Sequence, residues 1–198
     1  MTLISLVLMG AAATATAQPD GEARAAAVAE PRHHSVNVNP LGALFGAYNV
    51  NYEYLGGSHG VVVEAAFEHA GGAGASATTY GAGAGWRWHW RGRQDSGFVG
   101  AMVRFAGGSA EATVTSDGMA ETFDLSVKEL AVTVNVGKRW QFDSGLNITL
   151  RGGAGRAQRW FSTSSTDPDA QQAVADVEDL MEFIPIALDG EVSVGYTF

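Results

Sequence analysis

Twelve residues of this chain could do ionic or acid–base work. Carboxylates stand at Glu53, Glu64, Glu68, Glu129, Asp189 and Glu191, and cations at Arg87, Arg104, Arg139, Arg151 and Arg159, with His89 among them. A guanidinium presents a planar fork of donors to both oxygens of a carboxylate, so such pairs tolerate burial better than most charges. Two arrangements would use this set. One is a saturated network of ion pairs that fills an interior. The other is a network with a gap, which makes a narrow polar path or a small-ligand pocket.

Other chemistry has thinner support. Hydrolysis needs a nucleophile, a base and an orienting acid. His69 beside Glu68, with Ser162 or Ser164 elsewhere, supplies the types without a recognised motif, so the reading is of a protein that is not an enzyme. His33-His34 is too few ligands for a metal site, and with no Cys the chain has no thiolate chemistry or disulfides. No cofactor is expected. Between 164 and 185 lie Asp167, Asp169, Asp176, Glu178, Asp179 and Glu182, with Val174, Val177 and Met181 at helical spacing. That is the pattern of an acidic surface loop carrying a short helix, the natural contact for an outside partner or for divalent cations.

The elements that must position the twelve residues are strands. Apolar and polar or small residues alternate with period two from residue 36 to the end. The expected strands are 36–45, 47–55, 61–69, 79–91, 98–106, 122–141, 146–161 and 186–198, with a bulge near Lys128-Glu129, where the apolar set changes parity. Positions 41 to 167 hold no proline, which suits continuous hydrogen-bonded sheet. One face carries large apolar residues, such as Tyr52, Trp86, Trp88 and Val134. The other carries the charges, Asn and Gly, with hardly a Lys. A solvated sandwich face favours Lys and Glu and has little use for Gly. A narrow lumen explains Gly, because the space beside it takes a long Arg. Gly makes up 26 of 198 residues, about 13% against roughly 7% in average proteins.

Composition narrows the class further. A net charge of -9 opposes nucleic-acid binding, and 17% charged with 46% hydrophobic residues opposes disorder. Beyond residue 17 no apolar run is long enough for a spanning helix, whereas amphipathic strands remain able to span. Short connections at 56–60, 92–97 and 142–145 alternate with longer ones at 70–78, 110–121 and 164–185. Aromatic residues gather at both strand ends, at Tyr52, Tyr54, Trp88, Trp90, Trp140, Tyr196 and Phe198 and at Phe45, Phe67, Phe105 and Trp160.

Residues 1–17 are uncharged and end in Ala15-Thr16-Ala17, as a signal peptide does, and 18–34 reads as a flexible lead-in to a domain at 35–198. The export signal, the eight amphipathic strands and the closing Val192-Ser193-Val194-Gly195-Tyr196-Thr197-Phe198 resemble small bacterial outer-membrane β-barrels of the OmpX, OmpW and OmpA-barrel kind. The segment 35–54 (SVNVNPLGALFGAYNVNYEY) is similar to the Asn-Pro-Leu opening of a group of small barrels. The resemblance implies an all-β, eight-stranded antiparallel up-and-down transmembrane barrel in the bacterial outer membrane. It implies contact with lipid and lipopolysaccharide, porin-like architecture, and recognition of Val194, Tyr196 and Phe198 by the barrel-assembly machinery.

Overall fold

The period-two pattern becomes eight strands in the structure, a computed structural model: β1 (His34–Val38), β2 (Ala47–Gly56), β3 (His59–Gly72), β4 (Ala75–His89), β5 (Gly97–Ser116), β6 (Met119–Gln141), β7 (Leu146–Thr163) and β8 (Ile186–Thr197). The structure describes residues 32–72, 75–116, 119–165 and 185–198, together with 171–172, 174–176 and 178–179. The expected signal peptide and the lead-in up to residue 31 lie outside the described residues. Each strand pairs antiparallel with its sequence neighbour, and β1 pairs with β8, so the sheet closes as a barrel.

Closure fixes the lumen's width. From Val36, cross-strand partners lead through Tyr52, Val63, Ala84, Val103, Val132 and Arg156 to Ile186, and the β8–β1 register returns the path at position 46, a stagger of ten residues (46 less 36). Ten residues of rise across eight strand spacings tilt the strands by about 40° and give a backbone radius of roughly 8 Å. Side chains fill a cylinder of that size.

The polarity of the wall is inverted relative to a water-soluble fold. Among the described residues nineteen polar or charged side chains are buried against seven apolar ones, while Tyr52, Tyr54, Trp86, Trp88, Trp90, Val134, Leu150, Val192 and Val194 are exposed. The outward aromatics form two rows. Tyr52, Tyr54, Trp88, Trp140, Tyr196 and Phe198 mark the terminal end, where β1 begins and β8 ends, and Tyr48, Phe67, Tyr80, Phe105 and Trp160 mark the opposite, loop end. Trp88 and Tyr80 lie eight residues apart on β4, about 26 Å of strand, which the tilt reduces to roughly 20 Å of height.

Three expectations are corrected. The first strand does not run to residue 45. It ends at Val38, and a helical turn, α1 (Pro40–Ala43), follows, with Asn39 Oδ1 accepting from Gly42 N at 2.9 Å. Pro40 donates no hydrogen bond to a ladder and has the backbone angle of a first helical residue, so the strand gives way there. As a result β8 meets β1 only from Thr197 to Val194, and toward Ile186 α1 lies where β1 would have continued.

Second, no bulge interrupts β6: its register with β5 runs unbroken from Lys138 to Met119. Leu125 and Val127 share the inward parity of Thr133, and Val127 sits opposite Phe161. The apolar set changes face because beyond the Glu129–Arg159 pair the inward positions of β6 and β7 turn apolar, while Asp124, Ser126 and Lys128 face outward. Third, the connections expected at 70–78 and 110–121 are largely strand. β3 reaches Gly72 before β4 begins at Ala75, and β5 reaches Ser116 before β6 begins at Met119. In the acidic segment 164–185, residues 171–172, 174–176 and 178–179 have helical backbone, while Val177 and Met181 lie outside the described residues.

Candidate functional site

The inward face brings the charges together in two tiers. The first centres on Glu53, fully buried on β2. Its Oε2 accepts from Arg87 Nη1 at 2.9 Å and Arg139 Nη2 at 2.8 Å, and its Oε1 lies 2.7 Å from His89 Nε2. Arg87 also reaches Glu191 Oε2 at 3.1 Å, which links this tier to the second.

In the second tier Arg151 touches Glu64 at 3.1 Å, Asp189 at 2.9 Å and Glu191 at 3.4 Å. Arg104 reaches Asp189 at 3.0 Å and Glu64 at 3.4 Å. Four carboxylates therefore balance four guanidinium groups, which is how buried charge is tolerated in a narrow interior.

Uncharged partners satisfy much of the remaining hydrogen-bonding capacity. Asn51 Nδ2 donates to Glu191 at 2.8 Å, Ser193 Oγ to Glu191 at 2.6 Å, Asn135 Nδ2 to Asp189 at 2.8 Å and Thr133 Oγ1 to Asp189 at 3.2 Å. Arg139 also donates to Thr149 and Gln94. Sequence reasoning did not place these residues in the network, although Asn51, Thr133 and Asn135 share the parity of the charged set. Gln94 lies in the β4–β5 connection, where parity gives no signal.

Glycine makes the room. Gly83 faces Arg104, Gly100 faces Arg87 and Gly137 faces Arg151 across adjacent strands. A methyl group at Gly83 would come within 2.7 Å of Arg104 Cγ and 3.1 Å of Glu64 Cγ.

Three apolar side chains are buried among the polar ones of the first tier, Val62 directly opposite Glu53. Leu55, Val62 and Phe98 are 2%, 0% and 0% exposed, and the Phe98 ring lies 4.6 Å from the Arg87 guanidinium carbon and 5.3 Å from the His89 ring. They share the inward parity of the polar set, so a division of each strand into apolar and polar faces hides them. Above the second tier Ala131, Ala157 and Ala187 form a small apolar cluster. There the lumen opens into a cup of about 240 Å³ whose lining includes Asn49, Glu64, Ala66, Glu68, Gly81 and Arg104.

Two candidates stand apart from the tiers. Glu68 is exposed and forms no ion pair among the described residues. Glu129 pairs with Arg159 at 2.6 Å, and Arg159 also donates to the Ile186 carbonyl at 3.1 Å. Both lie near the loop end, where the lumen widens enough to admit solvent.

The weaker candidates are directed elsewhere. His69 Nδ1 lies 2.9 Å from Thr78 Oγ1, and Ser164 donates to Asp124 at 3.3 Å, so the residues of the hydrolase grouping are not brought together. His33 Nδ1 contacts the Leu55 carbonyl oxygen and His34 Nδ1 the Tyr52 hydroxyl, each at 2.7 Å. Val194, Tyr196 and Phe198 line the outer face of β8, and Phe198 is anchored: its backbone exchanges two 2.9 Å hydrogen bonds with His34, whose ring stacks on it at 5.5 Å.

With this geometry in hand the chain can be compared with known proteins. No family model and no curated protein matches it. Among solved structures it is similar to the crystal structure of Acinetobacter baumannii CarO2, with 12% identity and a TM-score of 0.46, over 85% of this chain and 98% of that one.

Proposed function

We propose that this chain is a structural barrel of a bacterial outer membrane, closed to solutes, that holds its loop-end hairpins and acidic segment for contacts outside the cell. The observation that carries the reading is the inverted wall, with nineteen buried polar side chains among the described residues and an exposed apolar band between two aromatic rows. Such a surface is stable where hydrocarbon meets the wall and headgroups meet the aromatics. A closed barrel also satisfies the backbone of a spanning segment without water. The role is one of structure and surface interaction, not catalysis, because among the described residues the buried ionic groups of the lumen pair with each other. Val194, Tyr196 and Phe198 are the segment offered to the barrel-assembly machinery.

Purified folded protein should migrate faster on a gel before boiling than after, float with phosphatidylcholine vesicles, and give no discrete conductance in a planar bilayer. Failure to float overturns the membrane reading. Reproducible unitary conductance overturns the closed lumen.

The cup favours a second reading, a small-ligand barrel, since Arg104 is 28% exposed and Glu68 lies on the cup's wall. Ligand-dependent thermal stabilisation of the wild type that is lost in Glu68→Gln would favour it.

A further inference from the structure

Two cations on the outer wall have no partner. Lys128 on β6 and Arg156 on β7 face outward, are exposed, and form no hydrogen bond or ion pair among the described residues. The other described basic residues outside the lumen, Arg32, Arg91, Arg93 and Lys138, belong to the terminal end, where Lys138 pairs with Asp95 at 3.2 Å.

The register places the two cations on one patch. Lys128 lies opposite Trp160, Leu130 opposite Gln158, and Val132 opposite Arg156, which has Ile186 on its other side. Four residues of strand separate the rows of Lys128 and Arg156, about 13 Å at ~3.3 Å per residue, with Gln158 between them. The patch sits at the loop-end aromatic row, since Leu130 pairs with Phe105 on its other side. Carboxylates on this face of β5 and β6 begin higher, at Glu111 and Asp124, which oppose each other four residues beyond Lys128.

Arg156 is thus flanked by Val132 and Ile186, and the anion it requires does not come from the neighbouring strands. A guanidinium is tolerated at the edge of an apolar band and costly within it, and among the described residues no carboxylate pairs with this one, which leaves it open to an anion of the headgroup layer. There the abundant anion is phosphate, for which Arg and Lys supply charge and the Gln158 amide a further donor.

We propose that Lys128, Gln158 and Arg156 bind phosphate groups of the lipid surrounding the loop end, with Trp160 seated among the headgroups. This rests on the outer-membrane reading above. Two cations held a headgroup's width apart suit a lipid bearing two phosphates on a saccharide better than one bearing a single phosphate.

The test is native mass spectrometry of the folded full chain titrated with bis-phosphorylated lipid A, its dephosphorylated form, and inorganic phosphate. Lipid A should be retained by the wild type and by Arg91→Gln/Arg93→Gln, which removes two charges from the opposite end. Retention should fall roughly tenfold in Lys128→Gln/Arg156→Gln. Dephosphorylated lipid A should bind equally weakly to all three, and millimolar phosphate should not displace the lipid. Equal retention by wild type and Lys128→Gln/Arg156→Gln overturns the site. So does displacement by free phosphate, which would make it a general anion site. Gel migration before boiling reports whether each variant is folded. Flotation with phosphatidylcholine vesicles, which needs no phosphate recognition by the patch, separates failure of the site from failure of the membrane reading.

Discussion

Glu53 on β2 and Arg87 on β4 meet inside the lumen at 2.9 Å, both fully buried, and the same carboxylate oxygen also takes Arg139, from β6 on the far side, at 2.8 Å. One anion thus holds two guanidinium groups that have no access to water.

Removing that anion should be the most damaging conservative change in the lumen. Glu53→Gln leaves two buried cations short of a counter-charge and is expected to cost on the order of 3–5 kcal/mol. Glu68→Gln, exposed and unpaired, should leave the urea midpoint of refolded protein where it is. Coincident midpoints for the two variants would sink the account of a sealed ionic lumen. Arg104→Ala should fall between them, because Arg151 also contacts Glu64 and Asp189.

The glycines of β7 offer a matched pair. A methyl group at Gly155 would collide with the Val132 carbonyl inside the wall, whereas at Gly152, on the outer face, it meets nothing within 4 Å. Gly155→Ala should therefore destabilise by roughly 1–3 kcal/mol and Gly152→Ala hardly at all. Thermal unfolding in detergent decides it, and the reverse order would mean that the two faces have been exchanged.

The Phe98 ring packs against Arg87 and His89, so Phe98→Ala opens a cavity beside a buried ion pair. A loss of about 3–5 kcal/mol is expected. If the variant also conducts ions in a planar bilayer while the wild type does not, the Phe98 ring is part of the seal. A silent variant would leave that role to the charged tiers alone.

At the chain end, stability and assembly can be separated. Deleting Phe198 removes two backbone hydrogen bonds to His34, each worth about 1 kcal/mol, and so weakens the refolded barrel. Phe198→Ala keeps the backbone. It should refold in detergent with nearly the wild-type midpoint yet accumulate poorly in the outer membrane. Normal membrane levels of Phe198→Ala would show that the ring is not read during assembly.

The eight-strand barrel was legible because a barrel strand shows one kind of residue on its outer face and another to the lumen, and sequence records that as parity. Arg87, Glu53 and Arg151 could be grouped on that basis. Parity alone does not say how high in the lumen a residue sits. Leu125 and Val127 therefore read as a slip of the backbone when they are inward residues above the charged tiers, and Val62 and Phe98 went unnoticed as apolar residues set among the charges. The end of β1 was harder to read: Pro40 breaks the alternation, and only the Asn39 cap shows that a helical turn replaces the strand.

The short β1 has a kinetic consequence. Its pairing with β8 joins Ser35 to Thr197, 162 positions apart (197 less 35), while every other pairing joins strands adjacent in the chain. Closing the longest loop costs the most entropy, and here it is repaid by few pairs, from Ser35–Thr197 to Val38–Val194. Hairpins therefore form first and the ring shuts last. Until it does, β8 presents a bare edge, free to pair with any other strand it meets.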